Sequence, residues 1–249
     1  MNIDRKLKRK SYFVIEAIKI IEKNGLGHLT TRSVANAAGF NQASIYSYFD
    51  NMDHLENIAS IYFTEDYAHA LTHYTEQVKT GLESYLIMWE LFLYYGLNNP
   101  YLYYNVFYSA ISQDGKHNLF KEFYELFPES KPIGGFVDDM FEIDQTQDRS
   151  YFVIDKCIHE HSIDSSMSVY INDIHLGYTK CIFTDIVKNH LYEPSPQLFQ
   201  KTMRYIIYSM IHFVSPLYID IINQYLDFYN YEHRDYQLLC WEKYNKFQH

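Results

Sequence analysis

Residues that stop helices are scarce in this chain. Nine glycines and six prolines are spread over 249 residues, and the stretch from Met52 to Lys79 contains neither. Long helices joined by few turns fit that pattern; a β-sandwich, which needs turn residues every few positions, does not. A hydrophobic content of 47% against 21% charged residues supplies a core and excludes a disordered chain. The 26 Tyr and 17 Phe make an interior filled by aromatic rings the expectation. The fold class expected is therefore all-α.

Along the chain, Leu7, Val14, Ala17, Ile18 and Ile21 recur at three and four, which predicts an amphipathic helix over Asp4 to Asn24 with Gly25 as its stop. Thr30 can cap a second helix that ends before Gly39, and Asn41 a third over Gln42 to Phe49. Met52 to about Lys79 then reads as one long helical connector, dividing the chain into domains at 1–51 and 52–249. Further helices are expected at about 83–97, 101–113, 117–127, 150–162, 165–192 and 196–229, with Pro216 kinking or breaking the last. "PESKPIGGFVDDMFEIDQTQ" reads as a loop carrying a short helical turn, and 232–247 as a final amphipathic segment.

The net charge of −10 conceals a split: residues 1–50 carry eight Lys/Arg against four acids, a local +4, and the remainder is −14. A basic head on an acidic body points any polyanion to the head. Cys157, Cys181 and Cys240 are far apart and odd in number, so a reducing compartment is expected rather than a disulfide framework. Glu16 and Lys19 interrupt the apolar run after Tyr12, and Tyr205 to Ile219 is too short to span a bilayer, so a cytoplasmic protein without membrane contact is expected.

The head also holds a spacing with a physical reason. A helix-turn-helix needs a small residue where two helices cross, a glycine at the turn and an aliphatic residue to lock the second helix. Ala35, Gly39 and Ile45 supply these, with Val34 and Ala38 adding to the buried side. Gln42, Ala43, Ser44, Tyr46, Ser47 and Tyr48 are then presented outward, short or polar and free of negative charge, which suits a major groove. On spacing alone a helical hairpin that merely packs is also open.

"AIKIIEKNGLGHLTTRSVANAAGFNQASIYSYFDNMDHL" resembles the DNA-binding domain of the TetR/AcrR family of transcriptional regulators, over about residues 8–58. The resemblance is carried by Ala17 and Ile21 before Gly25, Leu29-Thr30, Val34-Ala35, Ala38-Gly39 and "IYSYF" ahead of Leu55. It implies that Thr31 and Arg32 contact phosphate or a base edge. It also implies that Gln42, Ala43 and Ser44 form the base-reading turn, with Asn41 among the DNA-binding residues, and that Tyr46 and Tyr48 brace the DNA backbone. The basic run Lys6 to Lys10 would lie near phosphate or reach a minor groove. Where many members carry lysine in "F-x-x-K", this chain has Met52, with His54 or Asn51 as weak substitutes.

The resemblance further implies a homodimer built from the last two long helices, a roughly palindromic double-stranded operator, and a small-molecule ligand in the body that releases DNA. Ile206, Ser209, Met210 and Phe213 lie at dimer-like spacing, although such a stripe packs within its own bundle equally well. Aromatic side chains next to acids suit an aromatic or cationic ligand, and Trp89, Tyr103, Tyr104, Tyr108, His175 and Tyr178 are the candidate lining. An aromatic stripe at helical spacing also serves simply as core. Cys157, His159 and His161 come nearest to a metal-binding pattern, but no second pair matches them, so no metal ligand or cofactor is assigned. Asp138 and Asp139 lack any catalytic partner, so no enzyme is expected. The reading is a dimeric, ligand-responsive DNA-binding regulator acting as a repressor. The alternative is a helical ligand- or metal-binding protein without specific operator recognition.

Overall fold

The computed structural model describes residues 3–132, 135–143 and 145–230; the segment expected at 232–247, with Cys240, lies outside them. Among the described residues the fold is all-α. Its extended pairing is limited to a bridge between Ile163 and Val214. No described helix is long and apolar enough to cross a membrane.

The chain forms two compact units. The first comprises residues 1–65, 101–133 and 144–146. Its helices are α1 (Ile3–Asn24), α2 (Thr31–Ala38), α3 (Met52–Ile61), most of α6 (Pro100–Tyr108) and α7 (Leu119–Leu126). Helix α1 buries Val14, Ala17, Ile18 and Ile21 of the stripe its periodicity foretold, together with Phe13, and packs on α2 and α3, whereas Leu7 is exposed. Helix α7 adds Phe120 and Phe123 and packs on α3 and α1.

Among the described residues, the second unit holds 66–100, 135–143 and 147–230. It contains α4 (Glu65–Thr75) from Asp66 onward, α5 (Gly81–Asn98), α8 (Gly135–Glu142), α9 (Thr146–His159), α10 (Ser165–Thr184), α11 (Pro196–Met210) and α12 (Ile219–Asn230). Helix α5 is buried nearly all round, as expected of a helix with little polar face. Its one buried acid, Glu90, accepts a 2.7 Å hydrogen bond from the Tyr229 hydroxyl.

Several expectations are revised. The connector is not one uninterrupted helix, because a 3-10 turn over Tyr62–Thr64 joins α3 to α4 and α4 ends at Thr75. The glycine-rich segment holds a true helix, α8, because Val137, Met140 and Phe141 bury one face at i, i+3 and i+4. Asp138 and Asp139 are thus helical, not loop residues. Helix α10 closes in a π-type turn over Asp185–Asn189. The chain breaks after Met210 and resumes at Pro216, as proline's missing N–H requires.

Candidate nucleic-acid interface

Thr30 opens α2 with a reciprocal capping box: its hydroxyl accepts from the Ser33 N–H at 3.0 Å, and the Ser33 hydroxyl accepts from the Thr30 N–H at 2.9 Å. Gly39 closes the helix at φ 73°, a left-handed turn that a side chain resists. Asn41 then caps the next segment, its Oδ1 accepting from the N–H and the hydroxyl of Ser44, both at 2.9 Å. These caps re-aim the chain twice within a dozen residues.

The segment that follows is a 3-10 helix over Gln42–Ser47 rather than the α-helix expected to Phe49. Serine and tyrosine are mediocre helix formers, and the segment is held short between the Asn41 cap and the buried Phe49, which favours i→i+3 bonds such as Ser44 N–H to Asn41 O. Ile45 locks it down, wholly buried with Val34 and Ala35. Phe13 of α1 meets Phe40, Tyr48 and Phe49 at centroid distances of 5.2, 5.6 and 6.3 Å, which fixes the segment's rotation.

With Ile45 and Phe49 inward, Asn41, Gln42, Ala43, Tyr46 and Ser47 are exposed, and Ser44 and Tyr48 half-buried. Arg32 is exposed and Thr31 half-buried, and the Thr31 hydroxyl lies 3.3 Å from the hydroxyl of Tyr46. Thr31, Arg32 and the Gln42–Ser47 segment therefore share one connected surface. Lys6 and Lys8 of the basic run are exposed, and Arg9 lies over the Phe40 ring. Lys10 is committed elsewhere, 2.5 Å from the Glu122 carboxylate of α7. His54 is buried and Asn51 caps its N–H at 2.8 Å, so both side chains are engaged within the fold.

The model for bacterial regulatory proteins of the tetR family matches residues 16–56. Those residues hold both caps, the left-handed glycine and the Gln42–Ser47 segment. Over those residues the head is similar to the bacterial regulatory proteins of the tetR family. No curated protein sequence matches the chain. Two similar solved structures are the fatty acid degradation regulator FadR from Bacillus halodurans (11% identity, 80% of this chain and 94% of that one, TM-score 0.44) and a TetR family transcription regulator from Marinobacter aquaeolei VT8 (13% identity, 82% and 95%, TM-score 0.40).

In the second unit, Trp89 and His175 come together, with ring centroids 5.8 Å apart. The Tyr85 hydroxyl reaches His175 Nδ1 at 2.8 Å, and His175 Nε2 reaches the Ser209 hydroxyl at 2.6 Å. The Ser209 hydroxyl donates in turn to the Ile206 carbonyl, so one proton order satisfies the chain: Tyr85 to His175, His175 to Ser209, Ser209 to Ile206. Burial pushes the His175 imidazole down to about 3 and keeps it neutral. Tyr178 packs instead on Tyr205, while Tyr103, Tyr104 and Tyr108 belong to the first unit.

"CIHEHSID" resolves into structural roles. Cys157 is buried and its thiol pushed up to about 12, chiefly by desolvation. His159 pairs with Asp155 at 3.0 Å, and Glu160 caps α5 through the N–H groups of Gly81 (2.7 Å) and Leu82 (2.8 Å). Neither histidine joins Cys157 in a ligand set. A histidine cluster the sequence did not reveal sits instead in the first unit, where His54 and His117, far apart in the chain, meet at Glu122. Burial alone would raise that carboxyl, but hydrogen bonds from His54 and Lys10 hold it down to about 2.

Proposed function

We propose that this protein is a two-fold homodimer that represses transcription from a roughly palindromic operator and is released by a small-molecule ligand in its helical body. The observation that carries the DNA reading is the outward set Thr31, Arg32, Asn41, Gln42, Ala43, Ser44, Tyr46 and Tyr48 on a segment fixed from beneath by Ile45 and Phe49. Gln42 offers an amide able to bond an adenine edge twice, and Arg32 a phosphate partner. Such a protein would act in the cytoplasm, beside the chromosome.

Dimerisation is supported by the face that α10 and α11 leave open. Tyr170, Ile174, Tyr205 and Tyr208 are exposed there, Tyr170 by 62%. Of the candidates by spacing, Ile206 and Met210 are buried within their own unit, Ser209 is half-buried and Phe213 is exposed. A ligand with an aromatic or cationic part would find Trp89 and His175 together in the aromatic interior, their rings 5.8 Å apart.

Titrating the full chain against its own upstream DNA and against random duplex tests the reading. The Gln42→Ala variant should lose about 1–3 kcal/mol on the preferred site and discriminate less. Arg32→Ala should weaken both duplexes alike and lower the salt slope by about one. Equal loss from Gln42→Ala on every sequence would remove its reading role, and a preference ratio near one for the parent would remove the operator.

A further inference from the structure

Asp50 follows directly on the buried Phe49, His54 lies in the first turn of α3, and His117 precedes α7. One ligand atom from each lies within 4.8 Å of the others. Glu122 holds both imidazoles from behind: its Oε2 is 3.1 Å from His54 Nε2 and its Oε1 3.3 Å from His117 Nδ1. The rings are thereby drawn together, with centroids 4.0 Å apart. Their other nitrogens face Asp50: His54 Nδ1 accepts a long, 3.3 Å hydrogen bond from the Asp50 N–H, which an ion at that nitrogen would displace, and His117 Nε2 is 3.3 Å from Asp50 Oδ2.

This arrangement has a consequence for charge. If each imidazole donates its single N–H to Glu122, then His117 Nε2 and Asp50 Oδ2 are two acceptors aimed at one another. Asp114 adds a further carboxylate 3.9 Å from the same nitrogen, while Lys10, the nearby cation, sits on the far side at Glu122. A positive ion between His117 and Asp50 resolves the conflict.

We propose that Asp50, His54 and His117 bind one divalent transition-metal ion of the zinc class, with Glu122 orienting both imidazoles from behind, and that this ion ties the end of the Gln42–Ser47 segment to the loop before α7. The chemistry fits. Two imidazoles and a carboxylate suit Zn²⁺ better than the all-oxygen shells of Mg²⁺ or Ca²⁺. Zinc bonds of about 2.0–2.1 Å imply ligand separations of about 3.3 Å in a tetrahedral site. The His117–Asp50 pair already stands at 3.3 Å. A carboxylate behind a ligating histidine is the usual device for fixing its tautomer. Asp50 is 72% exposed, which leaves an entry path and lets its side chain rotate inward.

The test uses the full chain, stripped of metal and without DNA, so a failure of operator recognition does not bear on it. Zn²⁺ is titrated against a chromophoric chelator, and Co²⁺ serves as a visible probe of coordination. Expected are one ion per chain, a four-coordinate Co²⁺ spectrum, and a thermal midpoint that rises with Zn²⁺. His117→Gln should abolish the spectrum, and Glu122→Gln should weaken affinity about 10–100-fold. Asp50→Asn should weaken it by about tenfold or more without disturbing the fold, since that side chain is exposed, and it decides the matter if His117→Gln misfolds. Zinc binding unchanged in Asp50→Asn would show that other histidines hold the ion. No binding at all would leave a proton on His117 as the bridge. Either result overturns the site.

Discussion

Gly39 in the head and Gly81 in the body are both indispensable, for opposite reasons. Gly39 sits at φ 73° with no atom within 4 Å of where a Cβ would stand: it is there for its backbone. Gly81 has a negative φ, but a Cβ would fall 2.6 Å from the carbonyl carbon and Cβ of Lys156 and 2.9 Å from the Cys157 nitrogen: it is there for room. The difference runs through both regions. Around Gly39, polar groups are satisfied by partners three residues away, Thr30 by Ser33 and Asn41 by Ser44, which leaves the outer surface of the turn uncommitted to the rest of the fold. Around Gly81, they are satisfied across the fold, as Glu160 reaches back to cap α5 and Tyr229 reaches Glu90. Local closure leaves an open surface, and long-range closure makes a rigid support.

The largest effect should come from filling the space at Gly81. In Gly81→Ala the new methyl meets backbone, which cannot swing aside, so α9 must move off the α5 N-terminus and loosen the Glu160 cap. Overpacking of this kind costs about 3 kcal/mol. Urea unfolding at constant m would measure it. A change within a few tenths of a kcal/mol would show that α9 yields easily and that the body is less rigid than its contacts imply.

The same contrast explains what could be read from the chain. The head was legible because Thr30, Gly39, Asn41 and Ile45 specify its turns within a short window, although the sequence did not reveal that Gln42–Ser47 would tighten to a 3-10 helix between its anchors. In the body, helix existence was legible from periodicity but orientation was not. Ile206 and Met210 carry the same apolar signal whether they face a twin or their own core, and burial decides for the core. Helix α8 was hidden by the prolines and glycines that flank it, since those residues signal a loop whatever lies between them. The His54–Glu122–His117 group had no sequence signal, because its members stand on separate elements.

His175 puts the rigid side of the comparison under an acid test. Its folded pKa is lowered to about 3 by burial, against an unfolded value of about 6.5. Between those values the unfolded chain binds a proton that the folded one refuses. This contribution is therefore intact above about pH 6.5 and lost progressively as pH falls toward 3, with a slope of at most about 1.4 kcal/mol per pH unit. His175→Gln, neutral throughout, should be less stable at pH 7 through its lost hydrogen bonds, yet should show a flatter acid limb. Parallel limbs for parent and variant would mean that His175 takes up its proton in the folded state, and that the body's interior is open to water.

The smallest effect separates the two glycines most sharply. Gly39→Ala meets no clash, so only the left-handed backbone resists it, at about 1–2 kcal/mol. Asparagine tolerates that backbone better than alanine because its short amide bonds locally, so Gly39→Asn should cost less than Gly39→Ala. At Gly81 the order must reverse: asparagine is larger, the backbone there is unstrained, and Gly81→Asn should be worse than Gly81→Ala. Measured as a pair at each position, the two substitutions isolate backbone conformation from space without reference to absolute stability. An alanine that beats asparagine at both positions would mean that Gly39 is also held by packing, and that the turn ahead of the Gln42–Ser47 segment is shaped by its neighbours rather than by its own glycine.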